Sequence, residues 1–262
     1  QLNEFEIARF RDQAKYLRIY TPTSDFVKTD FLQFNYNIVF NPSLAIDENT
    51  SNEFNKFLKK LYFQSSLQTS QKQLALGDRN LNPFAQIVSD TSLITFDQLQ
   101  SHSLSYNKFS QIWGIDLNYI RNTNRAFLSF GEETRRTSEL LLRLRSNWAR
   151  KITVDLTGKL NRNELSTPNF NNRNFDINAY AIEPRISYTK GTTFRAQISY
   201  SYQEKRNVGP EIAKIGSVQM EGKYNVVSNT SVSGRFILSD IQFNGLPSST
   251  LGYIMMEGLQ PN

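Results

Sequence analysis

His102 is the single imidazole of the chain, in Ser101-His102-Ser103-Leu104-Ser105-Tyr106 and on the same alternating phase as Leu104 and Tyr106. An imidazole beside hydroxyls can activate a serine nucleophile. That chemistry needs the serine on a facing strand within hydrogen-bond reach, and an Asn or Asp to orient the ring. The sequence fixes neither partner, and adjacency along the chain is no evidence of such geometry. His102 therefore reads as a near-interface histidine on one strand. The chain is expected not to be an enzyme and no catalytic residue is assigned; a lipid hydrolase using His102 is kept as the alternative. Cysteine is absent, which excludes disulfides, thiol catalysis and Cys-based zinc sites, and one histidine cannot build a multi-histidine metal centre. Glu132-Glu133 and Asp240, near expected loop ends, lack the oxygen-rich spacing of a calcium loop. No Gly-rich phosphate loop is present either. Neither metal nor cofactor is expected.

The second candidate is a set of charges on one phase: Arg143, Arg145, Asp155, Lys159, Glu183, Arg185, Arg195, Glu221, Lys223 and Arg235, with Asp116. Pairing across the 147–151 corner sets Arg145 opposite Asp155. The set reads either as mutually satisfied charges filling an interior or as a wet lumen with a cationic excess that favours anions. Aromatic residues fall on the opposite phase from the basic ones, whereas nucleic-acid stacking platforms need them together. With a net charge of +6 and a pI near 9.4, the chain is only mildly basic, and nucleic acid is excluded as a partner.

The elements carrying these residues show period two. Val218, Met220, Gly222, Tyr224 and Val226 alternate with Gln219, Glu221, Lys223 and Asn225. The same holds for Phe194–Tyr202, Ile152–Leu160, Trp113–Tyr119 and Phe34–Phe40. Each segment has one apolar and one polar face, as a strand does. Tight turns are expected at Asn122-Thr123-Asn124, Asn147–Lys151, Lys190-Gly191-Thr192 and Ser228-Asn229-Thr230. Longer loops are expected at Glu132–Glu139, Ser166–Phe175, Asn207–Glu211 and Gly245–Thr250. This alternation describes an up-and-down antiparallel meander. Eight strands are expected from Trp113 onward, the last being the apolar run before Gln260, and three before Trp113. Pro184 interrupts a good strand, so a bulge is expected there.

The apolar face could meet lipid or a second sheet. A soluble β-sandwich binding module also alternates, but its strands are usually about five to six residues long. These run to about ten, the length a tilted strand needs to cross a bilayer. Tyr119, Trp148, Tyr188, Phe194 and Tyr224 share the apolar phase beside the expected tight turns, where an interfacial aromatic girdle would sit. The fold class expected is therefore an all-β, antiparallel up-and-down transmembrane β-barrel. Residues 1–29 form an N-terminal segment without convincing periodicity, and 30–262 supply barrel strands. An odd count of eleven strands and an abrupt C-terminus suggest part of a larger barrel.

The stretch Trp113-Gly114-Ile115-Asp116-Leu117 resembles the C-terminal region of large outer-membrane barrel proteins of Bacteroidota. So do Arg135-Arg136-Thr137-Ser138-Glu139-Leu140-Leu141-Leu142, Asn163-Glu164-Leu165-Ser166 and Gly258-Leu259-Gln260-Pro261. The resemblance covers the last two-thirds of the chain and carries no catalytic residue. It implies the outer membrane of a Gram-negative cell. It also implies a pore or transport barrel, or a scaffold in an outer-membrane complex. The partners expected are outer-membrane lipids or lipopolysaccharide, surface lipoproteins and periplasmic subunits.

Overall fold

The computed structural model describes residues 26–47, 52–75, 92–128, 131–148, 150–168, 170–227, 230–246 and 249–258. The expected irregular segment therefore lies almost wholly outside the described residues. Ten strands follow one another: β1 (Thr29–Phe40), β2 (Leu61–Leu74), β3 (Leu93–Tyr106), β4 (Trp113–Leu128) and β5 (Gly131–Trp148), then β6 (Ile152–Ser166), β7 (Phe175–Lys190), β8 (Phe194–Asn207), β9 (Ile212–Val227) and β10 (Thr230–Asn244). They form one antiparallel sheet in strict chain order, and β1 does not pair with β10. Two short helices accompany it, α1 (Glu53–Lys59) between β1 and β2 and α2 (Thr250–Met255) after β10.

The connections occupy two ends. At one end lie the short connections at 149–151, 191–193 and 228–229, the 107–112 connection and the segment carrying α1. At the other lie 167–174 and 208–211, and also the two-residue step from β4 to β5. Gly191, at φ +54°, supplies the left-handed residue of one tight turn without strain.

Several expectations are corrected. Asn122–Asn124 lies inside β4, and Glu132–Glu139 lies inside β5. Loop length thus does not alternate strictly. Polar residues in both stretches mimic turns because the strands extend beyond their apolar portion. Among the described residues seven strands, not eight, run from Trp113 onward, since the terminal apolar run forms α2, with Ser249 Oγ accepting from Gly252 N at 2.9 Å as its N-cap. Pro184 causes no bulge: it faces Leu156 in unbroken register with β6, and the β7–β8 register is the same on both sides of it. The missing N–H is absorbed by losing pairing at 183–184 on the β8 side alone.

Candidate functional site

Cross-strand register sorts the side chains onto two faces. On one lie Leu140, Leu142, Leu144 and Trp148 of β5, with Tyr180, Ile182, Ile186 and Tyr188 of β7. Phe194, Ile198 and Tyr200 of β8, Met220 and Tyr224 of β9, and Phe236 and Leu238 of β10 continue the same face. All are exposed. On the other face Asp155, Ser187, Ser199 and Lys205 are buried. From β5 to β10 the molecule is inside out, with large apolar side chains bare on one face and buried polar ones on the other; on β2 the apolar face instead buries Ser65 and Leu67. The apolar stretch covers nine residues per strand, Ile152–Leu160 in β6, Tyr180–Tyr188 in β7 and Phe194–Tyr202 in β8. Beyond it the same face turns to Arg162, Asn178 and Glu204. Eight steps of about 3.3 Å, tilted by about 40°, rise roughly 20 Å, close to the apolar band of an outer-membrane strand. This sheet is the wall of an outer-membrane-type β-barrel. Among the described residues no further strand pairs with the outer edge of β1 or of β10, and a strand edge in hydrocarbon needs a partner.

Of the five aromatic positions singled out from sequence, Trp148, Tyr188, Phe194 and Tyr224 sit at the tight-turn end of the barrel wall. The rings of Tyr188 and Phe194 lie 6.2 Å apart. Tyr119 does not join them. It faces Leu140 across the register, at the opposite boundary of the apolar stretch, because the turn expected beside it is mid-strand. Sequence reasoning missed a second aromatic level there. Tyr180 and Tyr202 donate to Glu204 Oε2 at 2.7 and 3.2 Å, with their rings 6.3 Å apart. The available signal was a tyrosine on the apolar phase just before that phase turns charged.

The ten charges share the enclosed face, as their phase requires. Arg145 is directly opposite Asp155 in register, yet Asp155 Oδ1 accepts from Arg143, Nε at 3.0 Å and Nη2 at 2.8 Å. Arg145 turns instead to the carbonyl oxygen of Lys108 at 3.2 Å. Arg185 pairs with Glu183 at 2.5 Å, and Arg235 donates to Gln219 Oε1 at 3.1 Å. Lys159, Arg195, Lys223 and Glu221 make no ion pair among the described residues. Arg195 and Lys223 moreover face each other directly in register, near the tight-turn end. Like charges in that relation are destabilising. That face thus combines ion pairs in its middle with an exposed cationic pair toward one mouth, where Glu221 is the nearest carboxylate position in register.

His102 lies on the apolar face, where that face changes from Leu104 to Gln100. Its Nδ1 is 2.8 Å from Ser65 Oγ on β2, and Ser65 Oγ is 3.0 Å from the Tyr36 hydroxyl on β1. The imidazole stacks on Tyr119, with 9° between the planes. A serine on a facing strand is the element that sequence could not supply. Among the described residues no Asn or Asp engages the remaining ring nitrogen.

No family model matches the sequence, and no curated protein matches it. Among solved structures it is similar to OmpT, an outer membrane protein of Vibrio cholerae, in vitro folded and in trimer form. The TM-score is 0.42 at 10% identity, covering 82% of this chain and 89% of that one. With the Ser65–His102 contact made, the expectation that the chain is not an enzyme is withdrawn.

Proposed function

We propose that this chain forms part of a barrel in a Gram-negative outer membrane, and that its enclosed polar face lines an aqueous passage for small anionic solutes. The observation carrying the reading is the direct apposition of Arg195 and Lys223 on that face. Holding two like charges side by side opposes folding, and an anion passing between them relieves the repulsion. Low-dielectric walls around such a mouth focus its field and raise the local anion concentration. Trp148, Tyr188, Phe194 and Tyr224 then form the headgroup-level girdle at the tight-turn end, and the ion pairs of Arg143 and Arg185 brace the wall. The resemblance to large Bacteroidota barrels supports this location. It also supports lipopolysaccharide, surface lipoproteins and periplasmic subunits as partners, with the barrel acting as their scaffold. The test is reversal potential under a salt gradient in planar bilayers. Anion preference is expected for the native protein and cation preference for R195E/K223E; equal selectivity in both sinks the reading.

A second reading rests on the Ser65–His102 contact at 2.8 Å on the apolar face, where Ser65 is buried beneath its neighbours. There the imidazole would take the Ser65 hydroxyl proton as the oxygen attacks a lipid ester carbonyl, then return it to the alcohol expelled as the ester C–O bond breaks, leaving an acyl-serine for water to hydrolyse. Covalent labelling by a fluorophosphonate, lost in S65A and in H102A, is its expected signature. A native protein that takes up no label removes it.

A further inference from the structure

The enclosed face changes character at the end opposite the tight turns. Ala213 faces Phe243 and Ile215 faces Ile241 across β9–β10, four apolar side chains together on a face that elsewhere in these two strands carries mainly Ser, Gln, Asn, Glu, Lys and Arg, with Ile237. The segment after β10 folds back over them. Met255 is fully buried against Ile177 and Ala213, with Phe175, Leu251 and Ile254 packed around it. Met256 is buried against Ile215 and Ile241. The Glu257 carboxylate reaches the Lys205 ammonium at 2.8 Å, and Lys205 is itself buried on the inner face of β8. Glu257 and Gly258 are both left-handed, at φ 57° and 74°, and Gly258 N returns to the Tyr253 carbonyl at 2.9 Å, closing the helix. Tyr253 projects away from the wall and is exposed.

We infer that α2 is an internal cover seated on the inner wall at the long-loop mouth, latched by Lys205–Glu257, and that it narrows the passage there. The inference rests on the passage reading for its effect on flow but not for its packing. Side chains on β7, β9 and β10 that would otherwise be wetted are apolar because α2 occupies them. Six residues cannot hold a helix in water unaided, so the seat and latch are what keep α2 formed. Removing either should open the mouth without unpairing a strand.

The native chain has no cysteine, so single cysteines report cleanly. A213C under α2 and T157C on the inner face elsewhere are labelled in outer membranes with a water-soluble maleimide. Barrel integrity is checked by heat-modifiable gel migration. Slow labelling of A213C beside fast labelling of T157C is expected. That protection should be lost in M255D/M256D and weakened in K205E and E257K, then restored in the swap K205E/E257K. Single-channel conductance should rise in M255D/M256D. A213C labelled at one rate in every intact background overturns the inference, as does an unchanged conductance after protection is lost where the native protein conducts. Protection lost on ejecting α2 where no variant conducts supports the cover and overturns the passage reading alone. An unlabelled T157C overturns the wet interior on which both depend.

Discussion

The inside-out pattern makes a quantitative demand on Ile198. It lies on the bare face, between Ile186 on β7 and Met220 on β9 in register. It is four steps along the strand from Phe194 on one side and from Tyr202 on the other. Each interval is about 13 Å along the strand, or roughly 10 Å vertically at a tilt of about 40°. Ile198 is therefore close to the bilayer midplane. Arginine there costs about 2–4 kcal/mol, falling to about 0–1 near the interfaces. I198R should thus lower the folding equilibrium constant roughly 30- to 700-fold, whereas F194R changes it by a few-fold at most. Gln197 points the other way, so Q197R should be nearly neutral. The assay is reversible denaturant unfolding in lipid vesicles, followed by the fluorescence of Trp113 and Trp148, the two tryptophans of the chain. If I198R costs no more than F194R and Q197R, the apolar face does not meet hydrocarbon and the argument fails.

Three smaller expectations follow from contacts in the wall. R143A leaves the buried Asp155 carboxylate without its cation and should destabilise by about 1–3 kcal/mol, the more exposed guanidinium tempering the loss; R145A, opposite in register but bonded elsewhere, should cost less in the same titration. G191A meets no neighbouring atom within 4 Å, so its loss is the left-handed backbone alone, about 1 kcal/mol. M255A removes a fully buried side chain, but α2 is peripheral; hydrogen exchange should quicken in 250–258 while amides of β8 stay protected.

The faces were legible in the sequence because a strand's period is two and the bilayer imposes one solvent per face. Ile152–Leu160 and Phe194–Tyr202 kept their phase in the structure for that reason. Strand ends were not legible. Asn122–Asn124 and Glu132–Glu139 are strand that has left the apolar band, and polar strand and polar turn have the same composition. The terminal Leu251–Met256 run was apolar because the inner wall buries it, which no local pattern distinguishes from lipid exposure. The Ser65–His102 contact depends on a register across 37 residues, and nothing near His102 encodes that register. Arg145 shows a further gap, since register correctly placed it opposite Asp155 and rotamer choice gave the ion pair to Arg143.

Every strand of this sheet pairs only with those it precedes or follows in the chain. From β4 onward two to eight residues close each hairpin, so laying down one strand on the last carries little loop entropy. A strand entering hydrocarbon before its predecessor would strand a row of amides without partners, so order along the chain becomes order of assembly. Direction is then a matter of parity. Removing one hairpin, such as β7 with β8, leaves every later strand running as before and every later loop on its own side. Removing one strand alone reverses all that follow, and sends α2 and its latch to the opposite side of the membrane.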